Sequence, residues 1–187
     1  MSVDLNLFCY KWDGPDYKEK YSIPWPEEHF SYASDGSILI RVCRLPDILE
    51  NKLVQSVVNA QKISGFLNKD VDMWFRVPDI TPGKMVCEDC EGTGKRDYVD
   101  CEECGGNGYV DEEIVVKIEG VFFNNKYLRM LLTLPDVKMA LVDKTGAPAK
   151  FRFDGGDGLV MPMFAPNRYD YVKLVEYAEI QPWETIA

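Results

Sequence analysis

The stretch from Cys87 to Gly108 reads CEDCEGTGKRDYVDCEECGGNG, and its spacing alone dictates a definite chemistry. Cys87 and Cys90 form one Cys-x-x-Cys pair and Cys101 and Cys104 a second, and the ten residues from 91 to 100 let the chain turn back so that four sulfurs meet. Four thiolates so placed suit tetrahedral Zn²⁺ at Zn–S distances of about 2.3 Å. The expected cofactor is one structural zinc ion held by Cys87, Cys90, Cys101 and Cys104, with no coordination position left open for catalysis.

Gly92 and Gly94 follow the first pair, and Gly105, Gly106 and Gly108 follow the second. A backbone wrapped tightly round a metal needs residues that tolerate positive φ. Each half therefore approximates Cys-x-x-Cys-x-Gly-x-Gly, and over about 22 residues this repeat resembles the cysteine-rich region of DnaJ-type co-chaperones. Those proteins carry four such repeats and two zincs, whereas this chain has two repeats, enough for one zinc, and lacks their His-Pro-Asp signature. The resemblance implies the metal knuckle and, as an alternative function, an adaptor or co-chaperone-like factor that holds a protein client. Two disulfides, a redox Cys-x-x-Cys and a rubredoxin-like iron site are the competing readings of the same cysteines.

Charge narrows what such a finger can do. Between Cys87 and Glu113 there are ten acidic residues against Lys95 and Arg96 alone. A finger that reads nucleic acid brings lysines and arginines to the phosphates, so this one reads as a structural staple or a knob for contact with a protein partner. The whole chain, at 187 residues and net charge −10, argues against nucleic-acid binding over its entire surface but leaves room for a local basic face. Its 46% hydrophobic and 12% aromatic content is that of a folded protein. No apolar run approaches the ~20 residues of a membrane helix, and MSVDLNLFCY has no signal-peptide pattern, so the expectation is a cytoplasmic protein with no membrane partner.

Taken in order, Val3, Leu5, Leu7 and Cys9 alternate with polar or mixed positions and predict a strand. Asp35-Gly36 between two β-prone runs predicts a hairpin. Pro46-Asp47 opens a predicted helix over roughly 47–68, with Ile48, Leu49, Leu53, Val57, Ala60, Ile63 and Leu67 at helical spacing. Residues 72–77 read as a strand. After the finger come a strand over 113–118, a helix over 123–134, and strands over 137–142, 148–154 and 158–163, with Gly155-Gly156-Asp157 as the last turn; an edge strand follows within 169–180. Cys9 and Cys43, each in an expected strand, read as core residues.

Two places in this pattern resemble the DNA sliding clamp of the bacterial and phage β-subunit type. Phe123-Asn124-Asn125-Lys126-Tyr127-Leu128, then Val137 to Leu141, then Val160-Met161-Pro162-Met163 look like the last clamp domain over about 40 residues, and Tyr32-Ala33-Ser34-Asp35-Gly36 resembles its Ala-Thr-Asp-Gly hairpin. The resemblance implies an α+β fold: a clamp-like β-α-β-β-β sheet with two helices on one face, formed by residues 1–83 and 110–187, and interrupted by an inserted zinc-binding hairpin at 84–109. It further implies a non-enzymatic binding or scaffold factor around DNA replication or a phage programme, self-association through sheet edges, and DNA facing the helices at Lys52, Lys62, Lys69, Lys126 and Arg129.

No catalytic motif emerges. His29 is the single histidine, and nucleophile-elbow, phosphate-loop and His-Glu-x-x-His patterns are missing. Asp154 and Asp157 in DGGDG lack the further oxygen ligands of a cation loop and read as a turn. The expectation is a protein that is not an enzyme.

Overall fold

At Asp35-Gly36 the chain reverses as its sequence predicts. Asp35 Oδ1 accepts hydrogen bonds from the Ser37 and Ile38 backbone amides, and the hairpin joins β2 (Phe30–Ser34) to β3 (Ile38–Cys43), with β1 (Trp25–Glu27) pairing on the far side of β2. The computed structural model describes residues 3–10, 22–48, 60–71, 73–144, 146–164 and 172–177. Within them α1 (Ala60–Leu67) falls in the helix expected over 47–68, whose expected start at Pro46-Asp47 is a turn and whose residues 49–59 lie outside the described residues, and it leads to the two-residue strand β4 (Phe75–Arg76). The finger follows, with β5 (Lys84–Val86), β6 (Lys95–Arg96), β7 (Val99–Asp100) and β8 (Tyr109–Asp111). Next come β9 (Ile114–Ile118), β10 (Val121–Asn124), α2 (Asn125–Leu131), β11 (Lys138–Ala140), β12 (Ala149–Phe153), β13 (Gly156–Val160) and β14 (Lys173–Tyr177).

The architecture is α+β in character and mainly β. A seven-stranded sheet has the order β1-β2-β3-β13-β12-β11-β4, and a three-stranded sheet the order β10-β9-β14. Strand alternation sends Ile38, Ile40, Val42, Phe151, Met139 and Phe75 to one face of the large sheet, where they share a core with Ile114, Val116, Ile118 and Phe123 of the small sheet and with Leu128 and Leu131 of α2. Leu39 points the other way and packs with Trp25, Tyr32 and Ile63 of α1. The two helices thus lie on opposite faces of the large sheet, not side by side on one.

The expected single β-α-β-β-β sheet also divides. β10 folds back on β9 at Glu119-Gly120, both at positive φ, and α2 then carries the chain from the small sheet to β11 of the large one. Phe123, expected in the helix, is a buried strand residue opposite Val116; the helix begins only after Asn124, whose Oδ1 caps the Lys126 amide at 2.9 Å. Met161-Pro162-Met163 returns the chain to the small sheet, where the Met163 amide donates to the Phe122 carbonyl at 2.8 Å.

Three local expectations change as well. Residues 3–10 form no strand: Asp4 caps the Asn6 amide and starts a 3₁₀ turn over Leu5–Phe8 that buries Leu5 and Phe8, three apart, and leaves Leu7 exposed. Cys9 is buried next to that turn, but Cys43, at the end of β3, is exposed. The last turn is Asp154-Gly155, and β13 already begins at Gly156. There Gly156 and Gly158 lie opposite Phe153 and Phe151 across the ladder. A Cβ at Gly158 would fall 2.1 Å from the Leu39 carbonyl oxygen and 2.2 Å from Phe151 Cζ, so the ring occupies the volume a side chain would need.

Gly158→Ala should therefore lower the unfolding free energy by about 3 kcal/mol through overpacking at mid-sheet. Gly65→Ala, in α1 with nothing within 4 Å of the new Cβ, should instead raise it by about 0.5–1 kcal/mol. Urea unfolding followed by circular dichroism measures both, and equal effects would show that the glycines of β13 do not limit packing.

Candidate metal centre

β5 and β8 pair antiparallel over Lys84↔Asp111, Met85↔Val110 and Val86↔Tyr109, so residues 87 to 108 leave and return at one point. The stem continues through Glu112 donating its amide to the Gly83 carbonyl at 2.9 Å and Cys87 donating to the Gly108 carbonyl at 2.9 Å. Beyond it each Cys-x-x-Cys pair makes the same turn. Gly92 N–H donates to Cys87 O and Gly106 N–H to Cys101 O, both at 3.2 Å. Gly94 N–H donates to Cys90 Sγ at 3.3 Å and Gly108 N–H to Cys104 Sγ at 3.2 Å. The two halves are related by a shift of 14 residues and face each other about a local two-fold axis.

Glycine is required where the halves touch. Gly94 and Gly108 have φ of 73° and 75°, and a Cβ there would sit 2.2 Å from the Gly106 carbonyl oxygen and 2.3 Å from that of Gly92. Each glycine thus lets one knuckle lie against the backbone of the other while its amide reaches a sulfur.

All four cysteines are buried, and their Sγ atoms lie within 4.8 Å of one another. The separations are 3.9 Å for Cys87–Cys101 and 3.7 Å for Cys90–Cys104. A tetrahedron with metal–sulfur bonds of about 2.3 Å has edges of about 3.8 Å, so the cluster fits a metal site, and the amide donors would stabilise thiolate charge. The same separations are far beyond the ~2.05 Å of a disulfide. Burial pushes the Cys87 thiol up to about 12, so a metal that binds here must displace protons. A shell of four sulfurs offers ordering of the chain and no exchangeable position for a substrate.

At the finger's outer end β6 and β7 pair around Asp97-Tyr98, both at positive φ in a tight hairpin turn. Tyr98 is 100% exposed and Val99 68% exposed. The sequence reading passed over these residues; the signal was an aromatic at the two-residue tip between Lys95-Arg96 and Val99.

The cations marked for DNA are not brought together. Lys52 lies outside the described residues, and of Lys62 only the backbone, in α1, is described. Lys69 follows α1, its ammonium 5.0 Å above the Phe66 ring. Lys126 and Arg129 are exposed on α2, but they line a cleft with Asp111, Glu112 and Glu113, and Arg129 approaches Asp111 at 3.9 Å. Lys84, hydrogen-bonded to Asp111, holds that carboxyl below its usual range. No helix among the described residues is long and apolar enough to cross a membrane. Comparison of the chain with protein-family models, curated proteins and solved structures finds no match.

Cys87→Ser or Cys101→Ser should abolish stoichiometric metal and render residues 85–110 protease-sensitive, while circular dichroism retains most of the strand signal. Global unfolding on mild chelation would show instead that the sheets depend on the metal. Because ligation releases thiol protons, affinity measured by chelator competition should rise with pH between about 6 and about 8; a flat profile would mean that the bound metal does not exchange for protons on these sulfurs.

Proposed function

We propose that this chain is a non-enzymatic, zinc-containing binding or scaffold protein whose finger makes contact with another protein. Tyr98 carries the reading: a fully exposed ring at the tip of a hairpin held by a four-sulfur cluster. An aromatic fixed on a rigid mount loses little entropy on binding, which is how such side chains come to dominate interfaces. The acidic residues around it, among them Asp97, Asp100 and Glu103, steer the tip toward a basic partner surface. Zinc is the ion of choice because four thiolates close its tetrahedral shell, and its role is to order a segment too poor in apolar residues to order itself. The DnaJ-type repeat supports the same protein-contact role. The edges of the large sheet are poor sites for self-association, since β1 contains Pro26 and β4 is two residues long.

A second reading, a clamp-like factor of DNA replication, draws on the clamp-like residues and on Lys126 and Arg129, which α2 exposes three positions apart. The acidic cleft beside them and the placement of α1 and α2 on opposite faces weigh against it. Duplex binding that disappears in Lys126→Glu/Arg129→Glu would favour it.

Metal analysis should return about one zinc per chain; iron in its place would overturn the choice of ion. In pull-downs from the native host, Tyr98→Ser/Val99→Ser with normal zinc content should recover at least about tenfold less of the partners retained by the unsubstituted protein, the scale of a hot-spot loss. Undiminished recovery would remove the finger as the contact element.

A further inference from the structure

The large sheet carries one uninterrupted row of paired residues across all seven strands. Trp25 faces Tyr32, Tyr32 faces Arg41, Arg41 faces Asp157, Asp157 faces Arg152, Arg152 faces Lys138, and Lys138 faces Arg76. The row lies on the face turned away from the main core. Four cations stand against Asp157 in a chain of net charge −10. Strands lie about 4.8 Å apart, so the cations extend roughly 19 Å from Arg41 on β3 to Arg76 on β4. Arg76 and Lys138 are not free groups; what counts is the sum of charge along the row.

Aromatic rings underlie two of these cations. The Arg41 guanidinium lies 4.5 Å from the Phe30 ring centroid and is held by Asp157 through bonds of 2.7 and 2.6 Å. The Arg152 guanidinium lies 4.3 Å from the Trp74 ring, with the Lys150 ammonium 6.0 Å from the same ring. Arg152 is exposed, and a guanidinium so seated on a ring keeps its outer face for another flat group, the arrangement on which unpaired bases stack; the Arg41 side chain, 15% exposed and locked to Asp157, instead forms one wall of the row's far end. At the Arg41 end the row runs into a cleft of about 520 Å³ whose lining includes Phe30, Tyr32, Arg41 and Asn68 and also the carboxylates Glu27 and Glu28. The carboxylates there repel phosphate, whereas the ring and the polar side chains of α1 suit a base.

From this juxtaposition we propose that the outer face of the seven-stranded sheet binds single-stranded nucleic acid, its phosphates along Arg152, Lys138 and Arg76 and a base directed to the cleft beside Arg41. Open bases are what ring-backed guanidinium groups can use; a duplex hides them, and an acidic peptide has none. The inference is independent of any contact made by the finger.

The test is fluorescence anisotropy of the full chain, zinc-loaded, with a labelled 20-nucleotide oligothymidylate, its duplex, and a poly-aspartate of matched charge. Expected are measurable binding of the single strand at about 50 mM salt and a log–log salt slope of about −2, as for three phosphates. Arg76→Glu/Arg152→Glu should weaken binding at least about tenfold and flatten the slope by about 1.4, and Trp74→Ala should weaken it while leaving the slope unchanged. Arg76→Glu alone, at an exposed site on the edge strand, should give a smaller loss in the same direction and covers the case in which the double variant fails to fold. Absence of single-strand binding, equal or tighter binding of duplex or poly-aspartate, or loss of binding in Lys126→Glu/Arg129→Glu but not in the sheet variants would each overturn the proposal.

Discussion

Two phenylalanine rings lie where two glycines have no side chains. Phe151 and Phe153 on β12 face Gly158 and Gly156 on β13, and their rings take the space above the bare backbone. β13 is the middle strand of seven and, among the described residues, the strand that joins the β1-β2-β3 meander to the β12-β11-β4 half. On its reverse side Asp157 pairs with Arg41, which fastens β13 to β3 by side chains as well as by the ladder. Ring-on-glycine packing beneath and an ion pair above make one sheet of what would otherwise be two. The core shared with β9, β10 and α2 then has a continuous floor to rest on.

The finger obeys a different logic. Among the described residues its cysteines form a cluster of their own with Val110 packed against them, and the main core draws no residue from 84–111. Its attachments to the body are the stem and a few polar contacts, Glu112 to Lys173 at 3.1 Å and Asp111 to Arg129 at 3.9 Å. Order within it comes from carbonyl and amide groups interlocked across a local two-fold axis around four buried sulfurs placed as a metal would need them. Loss of a metal from such a cluster would disturb the finger first, while changes at β13 reach the whole sheet.

What the sequence disclosed follows the range of the interactions. The four-sulfur cluster was legible because its cysteines sit within a short repeat whose glycines are required by positive φ. The Asp35-Gly36 hairpin and the strands over 114–118 and 149–153 were legible for the same reason: local turn chemistry and alternation. At residues 3–10 a capping Asp4 overrode an alternating pattern, and at Phe123 pairing with Val116 overrode a helical one. The division into two sheets, and the faces on which the helices lie, depend on pairings such as β3 with β13 that no local window contains. The row of cations across the large sheet was illegible for that reason too, since its four members come one each from β3, β12, β11 and β4.

The pairing of β3 with β13 sets an order of assembly. Arg41 and Asp157 are 116 residues apart, and Lys117 and Glu176, which tie β9 to β14, are 59 apart, whereas the sulfurs of the finger are only 14 apart. During synthesis the finger can bring its four sulfurs together while most of the C-terminal half has yet to emerge. The β2-β3 hairpin must wait, with one edge of β3 open to any other strand, until residues 156–160 arrive. Contacts of such separation make folding slow and the waiting edge vulnerable to mispairing. The strand that unites the sheet is thus also the one whose late arrival governs how long the nascent chain stays exposed.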